Sequence, residues 1–171
     1  MLMHSMVTDH RIPKKYAGRL AGSGGRHLVR DDFDEACLDL DYQSLRVPMD
    51  GHYLSLSARP GWLRMYGRSG LSSRFSQSLI ARRMTEYRME ASTCMEFEPE
   101  LFKQMAGLIF LYDTDNYLYL HVSRDEDIGK CITLLKAENR SYGYLTEYIP
   151  VSEGETLFLK IEIRESGTTV G

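Results

Sequence analysis

The sequence predicts an all-β protein, an antiparallel β-sandwich or jelly roll. Three observations lead there. Apolar and polar residues alternate without a break through residues 87–97, and again through 117–123 and 157–163. Strict alternation is the signature of a strand, because successive side chains leave a strand on opposite faces. The strands so marked are divided by short turns rich in Gly, Pro, Asn and Asp, and no long stretch carries helical spacing between them.

Taken in order, residues 1–30 are unlike the rest. They are rich in His, Lys, Arg and Gly, include Gly22-Ser23-Gly24-Gly25, and hold no period, so a flexible lead-in or linker is expected there, with the sandwich over 31–171. Residues 53–57 alternate, Pro60-Gly61 marks a turn, and 62–66 return as a hairpin partner. Leu63 and Met65 share one face of that partner, and Trp62, Arg64 and Tyr66 share the other. Residues 67–83 then form a Gly- and Ser-rich loop that ends in a strand. The loop carries a bare aromatic, Phe75, between small polar residues, and closes on Arg82 and Arg83.

In 87–97, Tyr87, Met89, Ala91, Thr93, Met95 and Phe97 point one way, and Arg88, Glu90, Ser92, Cys94 and Glu96 the other, until Pro99 closes the strand. Residues 98–105 give the only helical hint. Residues 107–113 and 117–123 make the clearest hairpin, with Thr114-Asp115-Asn116 at its tip. Leu118, Leu120 and Val122 are its apolar face; Tyr117, Tyr119 and His121 lie opposite. Strands over 131–136 and 141–148 follow the turns at Gly129 and Glu138-Asn139-Arg140. Residues 157–163 end the series, with Leu157, Leu159, Ile161 and Ile163 on one side. A strand that regular needs a neighbour, since an open edge invites aggregation.

The totals narrow the function classes. At 171 residues the chain is long enough for one domain with a proper core. Its formal net charge of −3 argues against a nucleic-acid or anionic-membrane partner. No apolar run approaches the ~18 residues of a membrane span, and the first residues lack the apolar core of a signal peptide. Cys37, Cys94 and Cys131 are too scattered for a disulfide framework or a zinc site. Cys94 and Cys131 fall in strand patterns and are expected to be buried free thiols, which suits a reducing cytoplasm.

Candidate chemistry is sparse. Glu96, Glu98 and Glu100 would share one face of a continuing strand, and a carboxylate pair can hydrolyse a glycoside. Pro99 interrupts that strand, and a solvated strand end is the stronger reading. Asp113, Asp115 and Asn116 open like a calcium loop, but Leu118 stands where the required Gly belongs and Arg124 where the Glu belongs. Turn chemistry explains them better. Asp31, Asp32 and Asp34 read as a polar strand entry before they read as a cation site. His121 beside Tyr117 and Tyr119 could stack on a sugar ring, although packing is the preferred reading. No catalytic set, metal site or cofactor motif is recognised. Phe75 is expected either to tuck onto its own core or to cap a pocket on a partner.

Several segments occur in the order found in one known family. They are Asp31-Asp32-Phe33-Asp34; Leu45-Arg46-Val47-Pro48; Ser55-Leu56-Ser57-Ala58-Arg59-Pro60-Gly61 with Leu63-Arg64 and Tyr66-Gly67; Leu71-Ser72-Ser73 with Phe75, Gln77 and Ala81-Arg82-Arg83; and Gln104-Met105-Ala106-Gly107-Leu108 with Tyr112 and Asn116-Tyr117. Together with Glu126 and Gly129-Lys130, they make residues 31–163 resemble the C-terminal domain of family 43 glycoside hydrolases, the β-xylosidases and their arabinofuranosidase relatives.

The resemblance implies a concanavalin-A-like jelly roll, incomplete here because the family's sandwich runs on through further strands. It implies that the catalytic carboxylates lie in a separate five-bladed propeller, the expected partner, and that a xylo-oligosaccharide occupies the pocket between the two. Phe75 matches the loop aromatic that shapes the mouth of that pocket, which makes it the candidate substrate-binding residue. Two other readings stand beside this one. The chain would be a free-standing carbohydrate-binding module with a face of Trp62, Tyr66, Tyr117 and Tyr119, or a truncated product without activity of its own.

Overall fold

A computed structural model describes residues 5–9, 30–73, 75–84, 89–164 and 167–170, with backbone alone for 5–9, 164 and 167–170. Among these residues there are strands, turns and loops but no α-helix, hence none long and apolar enough to cross a membrane.

The long alternating run of the sequence becomes β6 (Met89–Glu96), and residues 85–88 lie outside the described residues. It is central in a six-stranded sheet ordered β13-β12-β6-β1-β4-β3. The other members are β1 (Ser5–Asp9), β3 (Leu54–Ser55), β4 (Leu63–Tyr66), β12 (Leu157–Arg164) and β13 (Gly167–Val170). The second sheet has five strands: β7 (Ala106–Asp113), β8 (Asn116–Asp125), β9 (Gly129–Glu138), β10 (Ser141–Tyr144) and β11 (Ile149–Pro150). A small two-stranded sheet joins β2 (Tyr42–Ser44) to β5 (Ile80–Arg82). All of these strand pairs are antiparallel.

The sheets pack because each presents one apolar face. Met95, Leu157 and Leu159 meet Ala106, Leu120 and Val122 in a single buried cluster. Register aligns them: Leu157 lies opposite Met95, and Leu108 opposite Leu120. Each fully buried side chain of this size contributes about 1.5–3 kcal/mol. A second cluster, Phe33, Tyr42, Tyr53, Leu63 and Met65, packs the segment before β3 onto β4. Cys94 and Cys131 are buried, as expected, and Cys37 is exposed.

The structure departs from expectation at three places. The linker expected over residues 1–30 fails at Ser5–Asp9, which form β1 between β4 and β6; residues 10–29 lie outside the described residues. Without β1 the facing edges of β4 and β6 would carry unpaired backbone groups, so pairing overrides a sequence with little strand character. The helical hint at 98–105 is instead a turn: Gln104 Oε1 accepts the amide hydrogens of Glu100 at 2.6 Å and Leu101 at 3.0 Å. So short a segment, opened by Pro99, cannot repay helix nucleation. The single strand expected at 141–148 divides into β10 and β11. Tyr144 pairs with Leu135 and Ile149 with Ile132, so residues 145–148 face only Thr133 and Leu134. Thr146 Oγ1 takes the Leu134 amide at 3.1 Å, a side chain standing in for a ladder bond.

Candidate functional site

The loop of Phe75 leaves β4 after Tyr66 and returns as β5. Its stem is held by one arginine. The Arg68 guanidinium lies 4.4 Å over the Tyr53 ring, donates to the Gln77 carbonyl at 2.8 Å, and reaches Ser78 Oγ at 3.2 Å. Ser78 Oγ donates to the Tyr66 carbonyl, and the Ser69 amide donates to Ser76 O at 2.9 Å. Gln77 and Leu79 are buried on the inner side of this stem. Phe75 is not: 64% of it is exposed. The expectation that it tucks onto its own core therefore fails, and a pinned loop presents a phenyl ring to solvent. Covering such a ring against a partner is worth about 1–2 kcal/mol.

Below the loop, Arg82 pairs with Asp41 and lies 5.1 Å from the Tyr42 ring, which secures β5 to β2. Burial, aided by Asp31, pushes the Tyr42 phenol up to about 12, so it stays neutral. Arg82 is thus a structural residue of the loop base, while Arg83 is exposed.

The carboxylates Glu96, Glu98 and Glu100 do not assemble into a site. Glu96 binds Arg59 at 2.6 Å, and Arg59 also covers the Trp62 ring at 3.9 Å. Glu98 turns to Lys130 at 2.6 Å and accepts the Gly154 amide at 2.9 Å. Glu100 is exposed in the turn closed by Gln104. Asp113 accepts from Asn116 Nδ2 and from the Asp115 amide, which hold its carboxyl below the usual range, as turn chemistry predicts. Asp31 accepts the Phe33 amide and Asp32 pairs with Arg30, so the acidic entry is also a turn.

The sugar-binding face of Trp62, Tyr66, Tyr117 and Tyr119 is not formed. Leu63 and Met65 pack inward in one sheet and Leu120 and Val122 in the other, so the two aromatic pairs face away from each other on opposite sides of the sandwich. Tyr117 is itself buried. The bulge between β10 and β11 instead lifts Tyr144 and Tyr148 over the outer face of β8 and β9. There they border a cavity of about 310 Å³ with His121 and Asp125 in its lining. Three tyrosines within residues 141–148 were the sequence signal for this feature.

Residues 30–170 match the family profile of the β-xylosidase C-terminal concanavalin A-like domain. The chain belongs to that family. A protein of Escherichia coli (strain K12) named, provisionally, a β-xylosidase is 40% identical over 78% of this chain and 26% of its own length. The β-xylosidase of Bacillus subtilis (strain 168) is 38% identical over 66% of this chain and 21% of its own. The crystal structure of a xylan β-1,4-xylosidase from Bacillus halodurans C-125 superposes with a TM-score of 0.80 at 36% identity, covering 87% of this chain and 30% of that one. The chain thus spans about a quarter of the curated relatives it matches, as an accessory C-terminal domain does.

Within this β-xylosidase C-terminal domain the quoted motifs have structural duties. Phe33 is buried with a left-handed φ of 55°, which the Asp31 cap supports. Arg59 of the Arg-Pro-Gly turn holds Trp62 and Glu96. His121 has a testable pH signature. Burial lowers its pKa from the 6.5 of the free side chain, so the ring is held neutral. The unfolded chain then binds more protons in the window below 6.5, and this part of the stability, complete above that value, is lost as pH falls. Between about pH 7.5 and 5 the urea midpoint of the native chain should fall more steeply than that of His121→Gln; equal slopes would contradict the assignment.

Proposed function

We propose that this domain serves a β-xylosidase-type glycoside hydrolase by completing the substrate pocket of a separate catalytic domain. The parent reaction is hydrolysis of xylosides or arabinoxylo-oligosaccharides with inversion, in which one carboxylic acid protonates the leaving oxygen and a second carboxylate activates water. Those carboxylates belong to the catalytic propeller. Of the described acidic residues that come nearest in sequence to such a set, Glu96 is committed to Arg59 and Glu98 to Lys130, while Glu100 is exposed in a turn. Phe75 supplies an apolar wall at the pocket mouth, where it suits the carbon face of a pyranose. A cytoplasmic setting, in keeping with the buried free thiol of Cys131, is part of the same proposal.

The observation that carries this reading is the contrast within one loop. Its stem is fixed by Arg68 and Ser78, and its aromatic tip is left in solvent. Fixing the stem lowers the ordering cost of docking. The test is amide signal mapping on the labelled chain as an unlabelled family 43 catalytic domain is added. Signals of residues 67–83 should shift or broaden first. Complex formation that leaves them unmoved, or no complex at all, would refute the proposal.

A further inference from the structure

β1 lies inside the six-stranded sheet, yet little holds it there. Its register runs over Ser5–Thr8 against β4 and over Val7–Asp9 against β6. Val7 and Thr8 alone are thus paired on both sides. β12, by contrast, follows β6 from Leu157 to Ile163. Residues 10–29 separate Asp9 from Arg30 in the sequence, so β1 can leave its place without drawing Phe33 and its cluster along.

The residues that β1 brings fit this place poorly. Thr8 stands opposite Leu63 on one side and Met95 on the other, both 0% exposed. Directly opposed residues share a face of a sheet, so positions 6 and 8 belong to the face that meets the core. Leu63 is part of one buried cluster and Met95 of the other, and a threonine occupies the position between them. Val7 takes a position on the outer face, between Arg64 and Glu96. Arg64 Nε is buried and meets no acceptor among the described residues, and a valine has none to offer. Glu96 is already engaged by Arg59. Arg59 and Arg64 together carry one positive charge more than Glu96 balances. A slide of one residue would bring Val7 inward with Ser5 or Asp9 beside it, so no register of residues 5–9 suits both faces.

We infer that the slot between β4 and β6 is a strand-acceptor site, which releases residues 5–9 and takes an extended segment of another polypeptide. The segment it fits has large apolar residues at the positions of Met6 and Thr8 and an acidic residue between them. The apolar pair joins the two clusters. The carboxylate enters directly opposite Arg64, where Cβ atoms of paired residues lie about 5 Å apart. Backbone pairing supplies the affinity of such strand addition, and the alternating side chains supply its selectivity. The inference does not rest on the role of Phe75.

The test adds labelled peptides to the full chain. One has the sequence of residues 3–11; the other carries Val7→Asp and Thr8→Leu. Anisotropy reads uptake, and the amide signals of Ser5–Asp9 read release. A tethered strand acts at about 1 mM, so the unchanged peptide should half-displace it only near that concentration. The altered peptide, favoured about tenfold, should do so at about 0.1 mM. A full chain carrying both substitutions should take up the altered peptide about tenfold less well, because its own strand then fits. Val7→Pro, which removes a ladder donor from β1, should take it up more readily than the native chain. No uptake at about 1 mM, even by Val7→Pro, overturns the inference. So does uptake that leaves the Ser5–Asp9 amides unmoved, or equal uptake of the two peptides. Dimers formed in place of uptake would assign the slot to a second copy of this chain and overturn it too.

Discussion

Gly107→Ala should cost about 3 kcal/mol or more and lower the urea midpoint by about 1–2 M. Gly107 is in β7, opposite His121 of β8. A Cβ there would lie 2.0 Å from the Leu120 carbonyl oxygen and 2.7 Å from His121 Cα. Both are backbone atoms, so no side chain can swing aside, and the β7–β8 pairing itself must open. Leu120 sits in the inter-sheet core, so that opening reaches the packing of both sheets. The contrast is Gly143 in β10, where a Cβ meets nothing within 4 Å. Gly143→Ala should be neutral or stabilising by up to about 0.5 kcal/mol, since it only restricts the unfolded chain. Equal effects at the two positions would show that close backbone approach is not what requires Gly107.

Glu98→Ala is the second large effect. The Lys130 side chain is 0% exposed, and its ammonium is held by Glu98 Oε1 at 2.6 Å and, more loosely, the Glu155 carbonyl at 3.5 Å. Removing Glu98 leaves a buried cation with one weak acceptor, which should cost about 3 kcal/mol. The same carboxylate takes the Gly154 amide, so the turn before β12 loosens as well. Replacing the cation removes the larger part of the penalty. The double variant Glu98→Ala with Lys130→Met should recover most of the loss in urea unfolding, because an apolar side chain of similar length fills the site without a charge. A double variant as unstable as Glu98→Ala would place the damage in the Gly154 turn and not in the ion pair.

Much of this fold is legible in the chain. Leu118, Leu120 and Val122 alternate with Tyr117, Tyr119 and His121 because one face of β8 meets the other sheet, and that periodicity survives in the sequence. The Gly- and Ser-rich stretch around Phe75 reads as a loop for the same local reason. What is hidden is set by partners distant in sequence. β1 is recognisable only once β4 and β6 offer it two edges. β2 has three residues, too few to show alternation. Trp62 looks like an exposed platform until Arg59, fixed by Glu96, is found over its ring. The cavity at His121 depends on a bulge that hydropathy does not mark, since Leu145, Thr146, Glu147 and Tyr148 are set apart by facing only Thr133 and Leu134 of β9, a matter of register.

The most direct test of the central claim is turnover of an aryl xyloside by this chain alone, by a family 43 catalytic domain lacking its own sandwich, and by the two mixed. The account predicts no turnover by the chain alone and a gain in kcat/KM on mixing. Phe75→Ala should lose most of that gain while its urea midpoint stays within about 0.3 M of the native chain, as expected for an exposed side chain. Turnover by the chain alone, or a gain on mixing that Phe75→Ala retains in full, would contradict it.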